Sequence, residues 1–195
     1  MTTNELFCKS WDAPYKHGEK YKGSYGFWRD NETLVLSFQQ TVQDQDWRQN
    51  FKCTTVETRN FGNVHKGFYQ QFEEIYPAAE TELQSYKGTY TRLIVEGWSQ
   101  GAALAMMFYE ASLVDATCIV YGVPNFLKGE KDKRKWARKD IIEIRNNCDI
   151  FTRLAPWQTK PETQLQSFDT FNLIDAITKI EEKHTSYIWY NGGEV

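Results

Sequence analysis

The sequence predicts an α/β domain in which a mostly parallel, twisted sheet is flanked by helices. Short apolar runs rich in β-forming residues recur along the chain, and helical stretches separate them. A length of 195 residues suits one compact domain, and 41% hydrophobic residues are enough to build its core. Neither an internal repeat nor a linker divides the chain, so we treat residues 1–195 as a single domain.

The spacing of apolar residues predicts the individual elements. A helical repeat predicts a helix over Val64–Tyr86, which we expect Pro77 to kink or divide. The segment Gln100–Ala111 is apolar on nearly all sides, which predicts a helix buried on most of its faces. Short β-rich runs predict five strands, at Leu34–Phe38, Arg92–Glu96, Thr117–Tyr121, Ile141–Arg145 and Tyr187–Tyr190.

Charge and hydropathy exclude several classes of function. A net charge of −3 gives no general attraction to nucleic acid or to anionic membranes. No stretch reaches the roughly 18 apolar residues of a membrane span, so we expect no stable membrane insertion. Met1 to Lys9 lack the basic and apolar regions of a secretory signal, which favours a cytoplasmic location and leaves export by another route open. The cysteines show no CxxC spacing and are predicted to be free thiols: Cys8, Cys53, Cys118 and Cys148.

A candidate nucleophile lies in the pentapeptide Gly97-Trp98-Ser99-Gln100-Gly101, which has the form G-x-S-x-G. A predicted strand leads into it and a predicted helix leaves it, which is the setting of a nucleophile elbow. Side chains at positions 97 and 101 would collide with the neighbouring strand and helix, so both must be glycine. The start of the helix also places backbone N–H groups where an oxyanion would develop. Ser99 is therefore predicted to be a catalytic nucleophile.

A serine nucleophile needs a histidine base, and the chain holds three histidines. His17 lies in a polar N-terminal stretch and is interpreted as a solvated residue. His65 lies at a predicted helix start and is interpreted as structural. His184 follows Ser99 and precedes the last predicted strand, as the order serine, acid, histidine of α/β-hydrolases requires. We predict His184 to be the base.

The acid that orients this histidine must lie between Ser99 and His184 in that chain order. Asp149 follows the strand Ile141–Arg145, where a strand end can direct it into the site. Asp169 and Asp175 compete with it and are otherwise exposed helix carboxylates or caps, whereas Asp115 comes one strand too early. Asp149 is the leading candidate. A serine, histidine and aspartate need no metal ion or cofactor, and we expect none.

Several segments, in order, resemble the class 3 lipase family, the fungal-type lipase and feruloyl-esterase group of α/β-hydrolases. They are Leu34–Thr41 followed by Asp46-Trp47, Val64–Phe68, the elbow at Ser99 with Val120–Asn125 behind it, Asn147–Pro156, and His184 followed by Tyr187–Trp189. By this resemblance Ser99, Asp149 and His184 form a catalytic triad. Thr41 would contribute its backbone N–H and hydroxyl to an oxyanion hole, and Gln100 its backbone N–H. The resemblance implies an esterase or lipase whose substrate is a small-molecule ester or a lipid.

The chain departs from the family pattern at two places. Gln39-Gln40 replace the Arg-Gly that precedes the oxyanion threonine, which puts a side chain beside the oxyanion hole. Trp98 replaces the usual histidine and Gln100 the common leucine, so that the elbow is closer to that of cutinases. The His65 and Asp149 segments favour the lipase interpretation. A phospholipase or acyltransferase of the same family remains an alternative, as does a catalytically inactive binding module.

Two further segments bear on the substrate. The lid of family lipases has an apolar inner face, whereas Val42–Asn50 contains only Val42 and Trp47 as apolar residues. We therefore expect soluble or short-chain esters rather than lipid droplets as substrates. Lys128–Lys139 is strongly basic and is interpreted as a solvated face, with a docking site for an anionic group as the alternative.

Overall fold

The computed structural model describes residues 1–20, 24–39, 54–138, 140–153 and 158–169, together with Lys179 and Tyr187. Within these residues the helices are α1 (Thr3–Trp11), α2 (Lys66–Ser85), α3 (Gln100–Ser112), α4 (Glu130–Lys133) and a 3-10 turn at Ile150–Arg153. The strands are β1 (Lys16–His17), β2 (Ser24–Asp30), β3 (Thr33–Phe38), β4 (Thr55–Thr58), β5 (Gly62–His65), β6 (Arg92–Trp98), β7 (Thr117–Tyr121), β8 (Ile142–Asn146) and β9 (Gln164–Phe168).

A mostly parallel sheet organises the described part of the chain. Its strand order is β1-β2-β3-β6-β7-β8-β9. Strands β1 to β3 pair antiparallel, and every later pairing, from β3·β6 to β8·β9, is parallel. Strands β4 and β5 form a separate antiparallel hairpin. Since the carboxyl ends of parallel strands meet at one edge of a sheet, residues that follow β6, β7 and β8 are brought together there.

The two predicted helices and the first four predicted strands are confirmed with small shifts at their ends, but the helix start at Val64 and the division at Pro77 were wrong. Val64 and His65 belong to β5 rather than to the following helix, because both pair with β4. Pro77 lies inside α2 without dividing it, and its carbonyl accepts a hydrogen bond from the Thr81 hydroxyl at 2.7 Å. The predicted last strand lies outside the described residues except for Tyr187, which is fully buried and has 3-10 rather than strand conformation.

Each face of the sheet is covered by helices that bury apolar side chains. Helix α3 is buried from Gln100 to Tyr109, as predicted, and packs with α2 in one core cluster. On the opposite face α1 buries Leu6 and Phe7 against Val35, Ile94 and other side chains of the sheet. Helix α1 begins with a capping box in which Thr2 and Glu5 exchange side-chain and backbone hydrogen bonds. This helix thus closes the second face of the sheet.

The described helices fall short of the length and apolarity that crossing a membrane requires. Cys8, Cys118 and Cys148 are free thiols, as predicted, and only the first of these three is exposed. Cys53 lies outside the described residues.

Candidate active site

Ser99 lies at a sharp turn between β6 and α3. Its backbone has φ +54° and ψ −120°, a combination that costs a non-glycine residue free energy and is typical of functional turns. Its N–H donates to the Tyr121 carbonyl at 2.9 Å, and its carbonyl accepts from the Ala102 N–H at 3.0 Å. The strand–turn–helix setting expected for the pentapeptide is therefore present.

The two glycines of the pentapeptide are required by close backbone approach. A Cβ on Gly97 would overlap the Gly101 carbonyl, and a Cβ on Gly101 would overlap the Phe38 carbonyl at the end of β3. The expected collisions with helix and strand are thus found. The contact also holds the end of β3, which leads toward Thr41, against the start of α3.

Asp149 is fully buried and lies in the turn after β8. Its N–H donates to the Asn146 carbonyl at 3.0 Å, and its own carbonyl accepts from the Thr152 hydroxyl at 2.8 Å. The Asn146 side chain accepts from the Cys148 N–H at 2.8 Å. These hydrogen bonds fix the turn, so the carboxylate direction is set by the backbone at the strand end, as expected.

Tyr187 contacts the Asp149 carboxylate and was missed as a site residue by sequence reasoning. Its hydroxyl donates to Asp149 Oδ2 at 2.8 Å and accepts from the Asn146 N–H at 3.2 Å. Burial, together with the charge of Asp149, raises the pKa of Tyr187 well above its usual value, so the phenol stays protonated as a donor. The available signal was its position, three residues after His184.

The ends of β6, β7 and β8 form a continuous chain of contacts. Ser99 is hydrogen-bonded to Tyr121, the last residue of β7. Gly122 follows with φ +55°, and a Cβ there would lie 3.0 Å from Asp149 Oδ2 and 2.9 Å from the Tyr187 hydroxyl. The predicted nucleophile and the predicted acid therefore flank the same turn.

Four of the competing candidates lie within the described residues. His17 is exposed on β1 at the sheet edge, where Nδ1 lies 2.6 Å from the Ser24 hydroxyl. His65 caps α2 by accepting from the Phe68 N–H at 3.4 Å, which confirms its structural role. Asp115 is exposed before β7. Asp169 follows β9 rather than lying in a helix; it is at the same edge of the sheet as Asp149, where its carbonyl accepts from the Asn147 side chain at 2.9 Å, but it is exposed. His184, Thr41, Asp175 and the segment Val42–Asn50 lie outside the described residues.

Gln100 is the first residue of α3, and its side chain is buried. The side-chain amide donates to the Gln71 side chain on α2. The side chain is therefore engaged with α2, and any contribution to an oxyanion hole falls to the backbone N–H, as predicted.

A second buried carboxyl group, Glu96, lies on β6 three residues before Ser99, on the face of the sheet that α1 covers. The hydroxyl groups of Ser10 and Ser37 lie beside it, and the Ser37 hydroxyl donates to that of Ser10 at 3.1 Å. Burial raises the pKa of Glu96 to about 7. Glu96 lines a small cleft with aromatic and hydroxyl side chains, namely Phe7, Ser10, Trp11, Tyr15, Phe38 and Trp98.

The basic segment after β7 is mostly solvent-exposed. Its exposed cations include Lys128, Lys131, Arg134 and Lys135. Asp132 instead points inward and accepts from the Asn63 N–H at 2.8 Å. This exposure agrees with a solvated face.

Comparison with known proteins gives one family and one fold. A family model described as lipase (class 3) matches residues 35–159. No curated protein matches the sequence significantly. A Rhizomucor miehei lipase in its native propeptide complex is 19% identical, with 97% of this chain and 76% of that chain covered and a TM-score of 0.70. The Lip2 lipase of Yarrowia lipolytica is 15% identical, with 92% of this chain and 80% of that chain covered and a TM-score of 0.71. At these identities, the similarity to solved structures shows that this chain has the α/β-hydrolase fold.

Proposed function

Because the chain belongs to the class 3 lipase family, we propose that it hydrolyses carboxylic esters through an acyl-enzyme formed on Ser99. The observation that carries this proposal is the backbone of Ser99, held at φ +54° between β6 and α3. A strained turn of this kind exposes a serine hydroxyl at the carboxyl edge of the sheet. The buried Asp149 at the end of β8 supplies a carboxylate at the same edge.

The reaction then follows the serine–histidine–aspartate scheme. Ser99 Oγ attacks the ester carbonyl carbon, and its proton passes to His184. Asp149 accepts a hydrogen bond from the other imidazole nitrogen and stabilises the charged ring. His184 returns the proton to the departing alcohol as the bond to it breaks. Water, deprotonated by His184, then attacks the acyl-enzyme and releases the carboxylic acid, and the proton returns to Ser99.

The oxyanion of each tetrahedral intermediate needs fixed donors. Gln100 begins α3, so its backbone N–H belongs to the first turn, whose N–H groups have no acceptor within the helix. Thr41 would add its N–H and hydroxyl, as family membership suggests. The contact of Gly101 with the Phe38 carbonyl holds the chain leading to Thr41 close to the start of α3.

Labelling with a fluorophosphonate tests the nucleophile. The wild-type protein should form a covalent adduct at Ser99, and Ser99→Ala should form none. Ser85→Ala is a matched control, because Ser85 is exposed at the end of α2 and its loss should leave labelling unchanged. A wild-type protein that resists labelling would contradict the proposal and favour the inactive binding module.

The histidine assignment has a control within the chain. His184→Gln should slow labelling by about 10³-fold or more, since a serine without its base is a poor nucleophile. His17→Gln changes an exposed residue of the edge strand β1 and should leave the rate unchanged. Equal rates in the two variants would contradict the role of His184.

The proposed substrates are soluble or short-chain esters. Support comes from the segment after Thr41, Val42–Asn50, which offers only two apolar residues to a lipid surface. Within the same family, cleavage of phospholipid esters or acyl transfer would use the same acyl-enzyme.

A further inference from the structure

A second group of charged side chains is buried beside the turn that flanks Asp149. Its centre is Glu143 on β8, whose side chain is fully buried. Oε1 accepts from Arg145 Nη2 at 2.7 Å and from Lys160 Nζ at 2.7 Å. Oε2 accepts from the Thr163 hydroxyl at 2.8 Å. Both carboxylate oxygens therefore have donors, as a buried charge requires.

Lys160 connects this group to the turn after β7. Its side chain is only 12% exposed, and Nζ donates to the Val123 carbonyl at 3.0 Å in addition to Glu143. Val123 directly follows Gly122, whose Cα faces the Asp149 carboxylate and the Tyr187 hydroxyl. The ammonium group thus fixes the backbone that forms one wall of the Asp149 site.

The charges around Lys160 are balanced. Glu143 and Arg145 face it from β8, and Asp149 contributes from the turn beyond that strand. Burial lowers the pKa of Lys160 to about 8, against the opposing effect of the two carboxylates. Without the ammonium group, Arg145 alone would balance Glu143 and Asp149, and two carboxylates would repel each other across a dry interior.

We propose that Lys160 is a positioning residue for Asp149, acting through the Val123 carbonyl and the Glu143 carboxylate. This inference rests on the proposed function, in which Asp149 orients His184. Lys160 touches neither the ester nor the reacting atoms. It holds the Gly122–Val123 turn and neutralises the neighbouring carboxylate, so that Asp149 keeps the orientation that its hydrogen bond to the imidazole needs.

Steady-state kinetics of Lys160→Met and Lys160→Arg test the proposal on a soluble ester. Lys160→Met should lower kcat by about tenfold and leave KM within about twofold, because ester binding is untouched. Lys160→Arg keeps a cation that does not titrate. Wild-type kcat should therefore fall above about pH 8, whereas the Arg variant should hold its kcat to higher pH. Lys131→Met, at an exposed lysine of α4, is the control and should match wild type.

The outcomes separate this inference from the proposed function. Failure of the wild-type protein to react with a fluorophosphonate would overturn the function itself. A wild type that is labelled and hydrolyses esters, with a folded Lys160→Met variant of unchanged kcat, would overturn only the role of Lys160. If Lys160→Met does not fold, the pH profiles of wild type and Lys160→Arg decide. If kcat falls at the same alkaline pH in both proteins, the role of Lys160 is overturned. If kcat falls only at a higher pH in Lys160→Arg, the role is supported.

Discussion

The Tyr187 hydroxyl donates a hydrogen bond to Asp149 Oδ2 over 2.8 Å, while the Asn146 N–H donates to the same hydroxyl over 3.2 Å. A buried phenol therefore links the backbone at the end of β8 to the carboxylate that follows it. Asp149 is held by its own backbone and also by a side chain from the far end of the chain. Since the two residues are 38 positions apart, this link depends on the completed fold.

Tyr187→Phe should weaken both stability and catalysis. The variant keeps the ring and its packing against Phe7 and Phe168 but removes one donor to a buried carboxylate. A hydrogen bond to a charged group contributes about 1.5–3 kcal/mol, so the free energy of unfolding should fall by about that amount. We expect kcat to fall by about tenfold with KM nearly unchanged. Denaturant unfolding and ester kinetics measure the two effects.

Tyr90→Phe provides the control for this substitution. Tyr90 is partly exposed and lies before β6, at the sheet end away from Ser99. Tyr90→Phe should leave the free energy of unfolding and kcat unchanged within experimental error. Unchanged kcat in a folded Tyr187→Phe variant would contradict the role given to the phenol.

Much of the site was predictable because its signals are local. Ser99 could be predicted because a strand, two glycines and a helix are consecutive in the sequence around it. Asp149 could be predicted because it comes directly after a predicted strand. The same reasoning placed the parallel core of the sheet, because β3, β6 and β7 are largely apolar runs buried on both faces.

The elements that were missed lack such a pattern. Strand β9 is the last strand of the described sheet and exposes almost every side chain, so no run of buried apolar residues marks it. Helix α1 has a polar sequence and buries few apolar side chains, chiefly Leu6 and Phe7. Tyr187 and Lys160 act through contacts across the fold, and neither residue type indicates such a partner in the sequence.

Gly101→Ala should destabilise the fold far more than Gly129→Ala. The added methyl would overlap the backbone carbonyl of Phe38, and neither β3 nor α3 can move without disturbing the core. Overpacking of this kind costs about 1–3 kcal/mol. Gly129→Ala should cost far less, because a Cβ at Gly129 meets nothing within 4 Å and its φ of −179° is extended. Unfolding free energies that are equal for the two variants would contradict the steric account of the elbow.

Glu96→Gln should change how stability depends on pH. The pKa of Glu96 is about 7 in the native state against an ordinary value of 4.5, so the native state favours the protonated acid. The stability due to this preference is complete below about pH 4.5 and is lost as pH rises through about 7. The loss amounts to about 3 kcal/mol by linkage.

The comparison should therefore be made at two pH values. Glutamine imitates the protonated acid, so Glu96→Gln should be close to wild type at pH 4 and more stable at pH 8. Glu57→Gln, at an exposed position of β4, controls for the general effect of removing one negative charge. The free energy of unfolding is measured in urea at both pH values. If it changes by the same amount in wild type and Glu96→Gln between pH 4 and pH 8, the raised pKa of Glu96 is contradicted.

The described cysteines should differ sharply in reactivity. Cys8 is exposed, whereas Cys118 and Cys148 are buried, and burial raises the pKa of the Cys118 thiol well above its usual range. Only Cys8 of these three should react quickly with a bulky maleimide in the native protein, and ester hydrolysis should survive that reaction. Mass spectrometry of the modified peptides identifies each site. Rapid labelling of Cys148 without unfolding would show that the Asp149 turn opens.

The acyl preference of the enzyme is tested with p-nitrophenyl esters from acetate to palmitate and with a triglyceride emulsion. A segment as polar as Val42–Asn50 has little apolar area to present to an oil surface. We therefore expect kcat/KM to be highest for short acyl chains and to decline as the chain lengthens. The rate on a triglyceride should follow the dissolved concentration and show no step at the solubility limit. A sharp rise above that limit would demonstrate interfacial activation and would replace short-chain esters with lipid droplets as the substrate. Ser99→Ala, measured in parallel, removes the contribution of uncatalysed hydrolysis from every ester in the series.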